Sequence, residues 1–385
     1  MPFHHTFSLK QHTPIIHFQY GEEGASLRPT ELKPKLDAYI FEQLSDDIPM
    51  SWRVGKQKAE HPALDYKLRI MLTGKKTYRM ITQRDNIPMF FGNMGNDYSQ
   101  KPKALVRTEK PVEVQILCMN PDLMETVMAA FPGFIARTNF GTRQNKGFGS
   151  FSLWDEKKET LYDLSEVLPK TPYLSVRTTD LNAILTVINY YFQRLKSGIN
   201  YRNHYEKGFL RQYLDKHASY VWEKRWLKET FVGGLSPDSR TEYFARALLG
   251  MPGSFSFKPN RNGNRPPYPQ NTTDITVEGK TKGDKEIARI KSPITFKPII
   301  YDRECRIYVV SREFNEEEKK QLDKQLFEFS HAQTKASLGL PPKEQFFSLS
   351  DVIRKYHEHL GNRFEARDFS GRVRQTVTIH TPQNA

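Results

Sequence analysis

The chain has 385 residues and a mass of 44.9 kDa, which is enough for two domains of ordinary size. Its 58 Lys and Arg exceed its 44 Asp and Glu, and the net charge of +14 favours either a polyanionic partner or a solubilising excess of lysine. The sequence has no apolar run near the ~20 residues of a membrane span, too many aromatic residues for general disorder, and no CxxC motif. With no apolar signal stretch after Met1, we expect a soluble, cytoplasmic protein without membrane contacts.

The first half of the chain alternates between strand and helix patterns. Four segments have the alternation of strands: 7–18, 66–72, 112–118 and 148–153. Helical spacing predicts a helix over 30–44 with Thr30 as N-cap, and a second helix from the Asn120 cap to Pro132. A long loop is predicted over 84–103. The order strand, helix, strand, strand, helix, strand is the split βαβ pattern of a ferredoxin-like domain.

A second cycle of elements follows. The predicted strands are 173–177, 287–300, 306–310 and 373–379. The predicted helices are 181–195, 204–231, 239–250, 315–330 and 349–360. Residues 258–286, rich in Asn, Gly, Pro and Lys, predict a mobile loop. We therefore predict an α+β fold of two ferredoxin-like (RRM-like) domains with helical and loop insertions, divided into residues 1–160 and 161–385.

The strongest functional signal is a basic loop, RTNFGTRQNKGFGSF, over residues 137–151. Its glycines permit close backbone approach, and Arg137, Arg143 and Lys146 place cations where they suit a phosphate backbone. Lys146 precedes the final glycines, so the loop is not a Walker A motif, and a strand follows it, unlike a dinucleotide fingerprint. A tight connection that binds no ligand is the other interpretation of this loop.

Three stretches resemble the RAMP superfamily, the RNA-binding subunits of CRISPR effectors. The loop, with its RQNKGFGS ending, resembles the family's G-x-x-x-x-x-G-x-G loop. Residues 13–15 and 27–36 are similar to its strand–loop–helix opening, although Pro34, Asp37 and Tyr39 stand where the family usually has Gly, Arg and Trp. The pair ALLGMP (247–252) and ARIKSPI (288–294) looks like the first subunit of the type III-B Cmr complex.

The resemblance implies two ferredoxin-like domains that face each other across a basic cleft, and a role in antiviral defence. It implies a non-catalytic subunit without cofactor or metal, whose partners are guide RNA (crRNA) near its 3′ end, the paired target RNA and other RAMP subunits of the Cmr complex. Some RAMP relatives are endoribonucleases that process precursor guide RNA, which is the second hypothesis. A basic protein-interaction module, unrelated to the family, is the third.

We predict RNA-binding residues in both halves of the chain. Arg28, Lys33, Arg289 and Lys291 are expected to line a shared groove. The loop adds Arg137, Asn139, Arg143, Lys146, Gly147, Phe148 and Gly149. Segments that suit single-stranded RNA add Arg202, Lys207, Arg211, Lys258, Arg261 and Arg265.

Other side chains are expected to be structural. Trp222 and Trp226, four apart, are expected to pack on one face of a helix. His357 and His359 are expected at the surface, because no Cys or carboxylate pattern completes a metal site around them. No histidine is paired with a second acid or base at a spacing typical of a nuclease.

Overall fold

A computed structural model of the chain describes residues 3–17, 21–22, 26–44, 47–55, 63–81, 103–201, 204–232, 240–257, 273–279, 290–368 and 371–382. Within these ranges no helix is both long enough and apolar enough to cross a membrane.

The first half contains one large antiparallel sheet with two helices packed on it. Its strands are β1 (His4–Gln11), β2 (Ile15–His17), β3 (Lys67–Leu72), β4 (Lys76–Met80), β5 (Ala104–Thr108), β6 (Val112–Leu117), β7 (Phe151–Asp155) and β8 (Thr160–Leu161). Its helices are α1 (Pro29–Leu44) and α2 (Pro121–Arg137). The large sheet has the order β3-β6-β1-β7-β8, and β2, β5 and β4 form a separate small sheet.

The second half contains another large antiparallel sheet. Its strands are β9 (Tyr173–Val176), β10 (Gly198–Tyr201), β11 (His204–Lys207), β12 (Val221–Trp222), β13 (Glu242–Tyr243), β14 (Ser254–Phe257), β15 (Thr273–Gly279), β16 (Ile294–Tyr301), β17 (Glu304–Ser311), β18 (Leu326–His331), β19 (Thr334–Gly339), β20 (Arg363–Arg367) and β21 (Val373–His380). Its helices are α3 (Leu164–Val167), α4 (Leu181–Lys196), α5 (Phe209–His217), α6 (Lys224–Phe231), α7 (Glu316–Leu322) and α8 (Leu349–Leu360). The large sheet has the order β16-β17-β9-β21-β20.

The two large sheets have the same connectivity. In each, the spatial order of the four principal strands is second, third, first, fourth: β3-β6-β1-β7 in one half and β16-β17-β9-β21 in the other. A helix follows each first strand, and another lies between each third and fourth strand. The α+β fold is therefore as predicted, with the split βαβ element order in both halves. The principal strands change from one sheet to the other between Leu161 and Tyr173.

Several predicted elements differ from the structure. Helix α1 begins at Pro29, and the Arg28 carbonyl, not the Thr30 side chain, accepts from the backbone N–H groups of Glu31 (3.1 Å) and Leu32 (2.9 Å). The predicted helix 204–231 is divided into β11, α5, β12 and α6, and 239–250 contains β13 and a 3-10 turn at 245–249. Helix α7 ends at Leu322, and β18 follows within the segment predicted as helix.

The insertion in the second half also contains a sheet that the sequence did not predict. β15 lies inside the predicted loop 258–286 and pairs with β14 and β18 in the order β14-β15-β18-β19. Its buried Ile275 and Val277 alternate with more exposed residues, which is a strand pattern. The rest of that loop, and nearly all of the predicted loop 84–103, lie outside the described residues.

One hydrophobic core crosses from the second half into the first. It contains Leu174, Ile188 and Phe296 of the second half together with Ile16, Leu105 and Phe148 of the first. Phe148 lies in the basic loop that the sequence singles out. The fold therefore places this loop between the halves.

Candidate nucleic-acid interface

The glycine loop, residues 139–150, joins the two halves. The Asn139 side-chain amide donates to the Phe296 carbonyl at 2.8 Å. The Asn145 amide donates to the Ser292 carbonyl at 2.6 Å, and the Phe296 N–H donates to the Asn145 carbonyl at 3.1 Å. The loop therefore binds the start of β16 through both backbone and side chains.

Two glycines of this loop are required by its own packing. Gly147 has φ +89°, and a Cβ there would lie 2.6 Å from Ile188 of α4. Gly149 has φ +65°, and a Cβ there would lie 1.8 Å from the Phe140 carbonyl oxygen. Both positions combine a left-handed backbone with no space for a side chain, which restricts them to glycine.

The structure corrects the predicted role of four loop residues. Phe148 is fully buried, and Asn139 is 1% exposed with its amide hydrogen-bonded inside the protein. The backbone at Gly147 and Gly149 approaches other protein groups and not an open surface. A glycine-rich pattern in the sequence does not distinguish close approach to a bound RNA from close approach to other parts of the protein. Of the predicted loop residues, the partly exposed ones are the cations Arg137, Arg143 and Lys146.

The start of α1 contacts the loop through a lysine that the sequence analysis did not select. Lys35 donates to Glu31 and to the Gln144 side chain, both at 2.6 Å. Lys33 instead pairs with Asp37 at 2.7 Å. Residues two apart on an α-helix point about 200° apart, so only one of the two lysines can face the loop. Asp37, where the family usually has another residue, holds the side chain of Lys33 away from the loop.

The two downstream motifs pack against each other beside the loop. Gly250, with φ +100°, lies so close to Ser292 that a Cβ on Gly250 would be 3.2 Å from the Ser292 Cα. The Met251 N–H donates to the Ile290 carbonyl at 3.0 Å. Since Asn145 also binds Ser292, the stretches that carry the family resemblance meet at one place.

The four cations predicted to line a shared groove lie in different surroundings. Lys291 is exposed and lies near Lys35. Burial lowers the pKa of Lys35, and the charge of Lys291 lowers it further, while Glu31 raises it. Arg28 lies beside His17, whose pKa is lowered by burial and then by the Arg28 charge. Lys33 faces elsewhere, and Arg289 lies outside the described residues.

Further cations extend from the loop into the second half. At the end of α4, the Lys196 ammonium donates to the Gly250 carbonyl, and burial followed by the charges of Arg246 and Lys146 lowers its pKa to about 7. Burial and then the charge of Arg246, among other cations, lower the pKa of Lys224 to about 8. The pKa of Lys103 is lowered by burial and then by Arg143. We call this set the basic cluster: Lys103, Arg143, Lys146, Lys196, Lys224 and Arg246.

Arg246 is the structural centre of the basic cluster. Its guanidinium lies between the rings of Trp222 (4.6 Å) and Phe255 (4.7 Å) and forms an ion pair with the wholly buried Glu223. Among the described residues, the carboxylate of Glu223 is the one found to raise the pKa of both Lys196 and Lys224, which partly offsets the lowering.

Four members of this cluster were not predicted from the sequence: Lys103, Lys196, Lys224 and Arg246. One signal was available, because Arg246 directly precedes the ALLGMP motif. The tryptophans are packed inside as predicted, Trp222 at 2% exposure and Trp226 against Phe329 at 5.3 Å, but they lie in different elements and not on one helix.

The remaining predicted RNA-binding residues are dispersed. Lys207 is exposed at the end of β11. Arg211 shares Asp215 with Arg240, at 3.5 and 3.1 Å. Arg137 donates to a carbonyl of its own helix. With Arg289, five of the predicted residues lie outside the described ranges, the others being Arg202, Lys258, Arg261 and Arg265.

Two histidines are buried and structural. His12 accepts from the Ile300 N–H at 3.0 Å and contacts the Ser152 hydroxyl, and burial lowers its pKa to about 3. His357, expected at the surface, is 3% exposed and bonded to the Tyr191 hydroxyl, since it lies on the core side of α8. No group of three potential metal ligands is found in the described part of the chain.

Comparison with protein families identifies what these converging motifs belong to. A model of the Cmr1 N-terminal domain matches residues 3–199, and a model of the Cmr1 C-terminal domain matches residues 205–376. The chain belongs to the Cmr1 family. Cmr1 proteins are subunits of the type III-B CRISPR Cmr complex, which confirms the family that the motifs indicate.

One solved structure is similar to the chain over most of its length. The crystal structure of Cmr1 from Pyrococcus furiosus in its apo form has 10% sequence identity to this Cmr1-family chain and a TM-score of 0.37. The match covers 82% of this chain and 90% of that one. No curated protein matches the chain.

Proposed function

We propose that the chain is a non-catalytic RNA-binding subunit of the Cmr complex that holds guide RNA near its 3′ end, together with the paired target RNA, along the joint between its halves. The observation that carries this proposal is the basic cluster. It combines cations of the glycine loop with cations of α4, α6 and the 245–249 turn.

The electrostatics of the cluster favour a polyanion. A lysine pKa falls when burial and neighbouring cations raise the free energy of its charged form. Lys196 and Lys224 both have this environment. A phosphate chain placed beside them supplies the missing negative charge and releases its own counterions, so binding becomes favourable and dependent on salt.

The proposal includes no catalysis. The buried His12 and His357 have lowered pKa values, so both are neutral at pH 7, and their ring nitrogens bond inside the protein. His17, beside Arg28 and 8% exposed, is the histidine that a nuclease hypothesis would use. We expect no cleavage of guide-repeat RNA by the purified chain with or without Mg²⁺. Cleavage that His17→Ala abolishes would replace the proposal with the endoribonuclease hypothesis.

A double substitution tests the RNA contact. Arg143→Ala with Lys146→Ala should weaken RNA binding uniformly across sequences and reduce the slope of log K against log salt by up to about two. The matched control is Lys157→Ala with Lys158→Ala, two exposed lysines between β7 and β8. Equal affinities and slopes for the two double variants, at equal folding, would exclude the glycine loop as an RNA contact.

A further inference from the structure

The second large sheet has one face that the described residues cover only in part. Helices α4 and α8 pack on its other face. On this face, a small apolar cluster that includes Leu164 and Leu168 covers Ile299 and Tyr308, on β16 and β17. Beyond that cluster, towards β21 and β20, a groove of about 760 Å³ lies open. We call its surface the second sheet face: Tyr173, Ser175, Val176, Arg177, Glu304, Arg306, Arg363, Val373, Arg374, Gln375, Thr376, Thr378 and His380.

Strand alternation and register produce this surface. Leu174 and Val176 of β9 point into the core, so Tyr173 and Ser175 point outward. Across the sheet, Tyr173 is opposite His380, and Ser175 is opposite Thr378. Rings therefore stand in one row, and hydroxyl groups stand in the next.

Two of the rings already form a stack. The Tyr173 and His380 rings are 4.4 Å apart between centroids and only 8° from parallel. The Ser175 hydroxyl lies 2.9 Å from His380 Nε2 and holds the imidazole in this orientation. Sheet proteins bind single-stranded RNA by stacking bases on exposed aromatic rings. The Tyr173 ring already contacts His380 and, at 5.2 Å, Tyr308, so a base would extend the stack at His380.

The arginines around the stack provide charge for phosphates. Arg306 pairs with Glu304 at 3.1 Å, and Arg374 pairs with Asp368 at 2.6 Å. Arg177 and Arg363 are exposed, and no carboxylate of the described ranges forms an ion pair with either. Thr376 and Thr378 add exposed hydroxyls that can bond to a ribose 2′-hydroxyl.

We propose that the second sheet face binds a short stretch of single-stranded RNA, at a site separate from the joint. The centre of a protein interface is usually apolar and depleted in charge. Here the groove is lined by four arginines, several hydroxyls and one carboxylate, that of Glu304, and Val373 is its exposed apolar side chain among the described residues. Stacked rings, unpaired arginines and hydroxyls together match RNA.

The test uses the full chain and a fluorescent oligouridine of about ten nucleotides. Ultraviolet crosslinking should mark peptides of β9 and β21. Arg177→Ala with Arg363→Ala should reduce these crosslinks at least tenfold at about 50 mM salt if both arginines contact phosphates, while crosslinks at the joint remain. Lys67→Ala with Arg69→Ala, on the exposed face of β3 in the first sheet, is the matched control and should leave the β21 crosslinks intact.

Two further variants test the role of the Tyr173 ring and the separation of this site from the joint. Tyr173→Leu retains an apolar side chain beside the Leu164 cluster but removes the ring, so it should also lose the crosslinks without unfolding. Arg143→Ala with Lys146→Ala at the joint should retain them, which separates this site from the proposed joint. Absence of crosslinks to β9 and β21, or their persistence in the arginine double variant, overturns the inference. If the arginine double variant no longer binds another Cmr subunit while its RNA crosslinks are unchanged, the face is a protein interface, and this result also overturns the inference.

Discussion

Gly149 is the most restricted residue of the glycine loop. Gly149→Ala would place a methyl group 1.8 Å from the Phe140 carbonyl at a φ of +65°. Overpacking and left-handed strain together should cost about 2–4 kcal/mol of the free energy of unfolding. Urea unfolding should show this as a lower midpoint. Gly21→Ala is the control, because nothing lies within 4 Å of its Cβ position, and equal midpoints for the two variants would contradict the packing described.

His12 makes the stability of the joint depend on pH. Its pKa is about 3 in the folded chain and 6.5 in the unfolded chain, so below pH 6.5 the unfolded chain binds a proton that the folded chain does not. The free energy of unfolding therefore falls as the pH is lowered from 6.5 towards 3, by about 1.4 kcal/mol per pH unit from this group.

A comparison with His12→Gln isolates this effect from the carboxylates. Glutamine keeps an acceptor for the Ile300 N–H and does not titrate. The stability difference between the native chain and His12→Gln should change by about 2 kcal/mol in favour of the variant between pH 6.5 and 5. A difference that stays constant over this range would mean that His12 is charged in the folded protein.

At the scale of elements, periodicity predicted the long segments and failed on short ones. α2, α4 and α8 have three or more turns with an apolar side, and β6 and β21 alternate over six or more residues, so their patterns are unambiguous. β12 and β13 have two residues each, too few to show any period. Such strands are determined by pairing between distant segments, and the local sequence carries no sign of that pairing.

The motifs of the candidate site were visible in the sequence, but their contacts were not. In the structure the loop, the α1 start and the ALLGMP and ARIKSPI stretches meet. Which lysine of α1 faces the loop depends on the buried partner of Lys33, and the burial of Phe148 depends on a core in the other half. Both are tertiary contacts that a single sequence does not display.

The end of α4 should make RNA binding depend on pH. Lys196 loses its charge as the pH rises through about 7, so RNA affinity should fall between pH 6 and 8, with bound phosphate moving the fall to higher pH. Lys196→Met should bind RNA more weakly at pH 6 and show a flatter dependence in fluorescence anisotropy. Lys158→Met, at an exposed position between β7 and β8, should behave like the native chain. A native affinity that does not change with pH would place Lys196 outside the RNA contact.

At the scale of the whole molecule, the two halves repeat a topology without repeating a sequence. The second-third-first-fourth strand order occurs in both sheets, yet the chain shows no short-period repeat. Many different apolar residues satisfy the same alternation, so topology persists where residue identity does not. The shared plan is visible only once the strands are paired.

Both halves should contact the same RNA at the joint. Crosslinked RNA should mark peptides with Lys35 and Lys146 from the first half, and peptides with Lys196 and Lys291 from the second, because these cations surround one loop. The readout is mass spectrometry of the intact chain bound to guide RNA. Crosslinks confined to residues before 160 would mean that the second half is a docking platform for proteins.

The burial of Phe148 in the core of the opposite half has a consequence for how the protein can be divided. A fragment that ends near residue 160 would expose Phe148, Ile16 and Leu105 to water, and the complementary fragment would have a cavity where they belong. Each piece would lose the apolar contacts that stabilise it. The halves should therefore melt in a single cooperative transition, and neither should persist as a folded fragment when it is expressed alone.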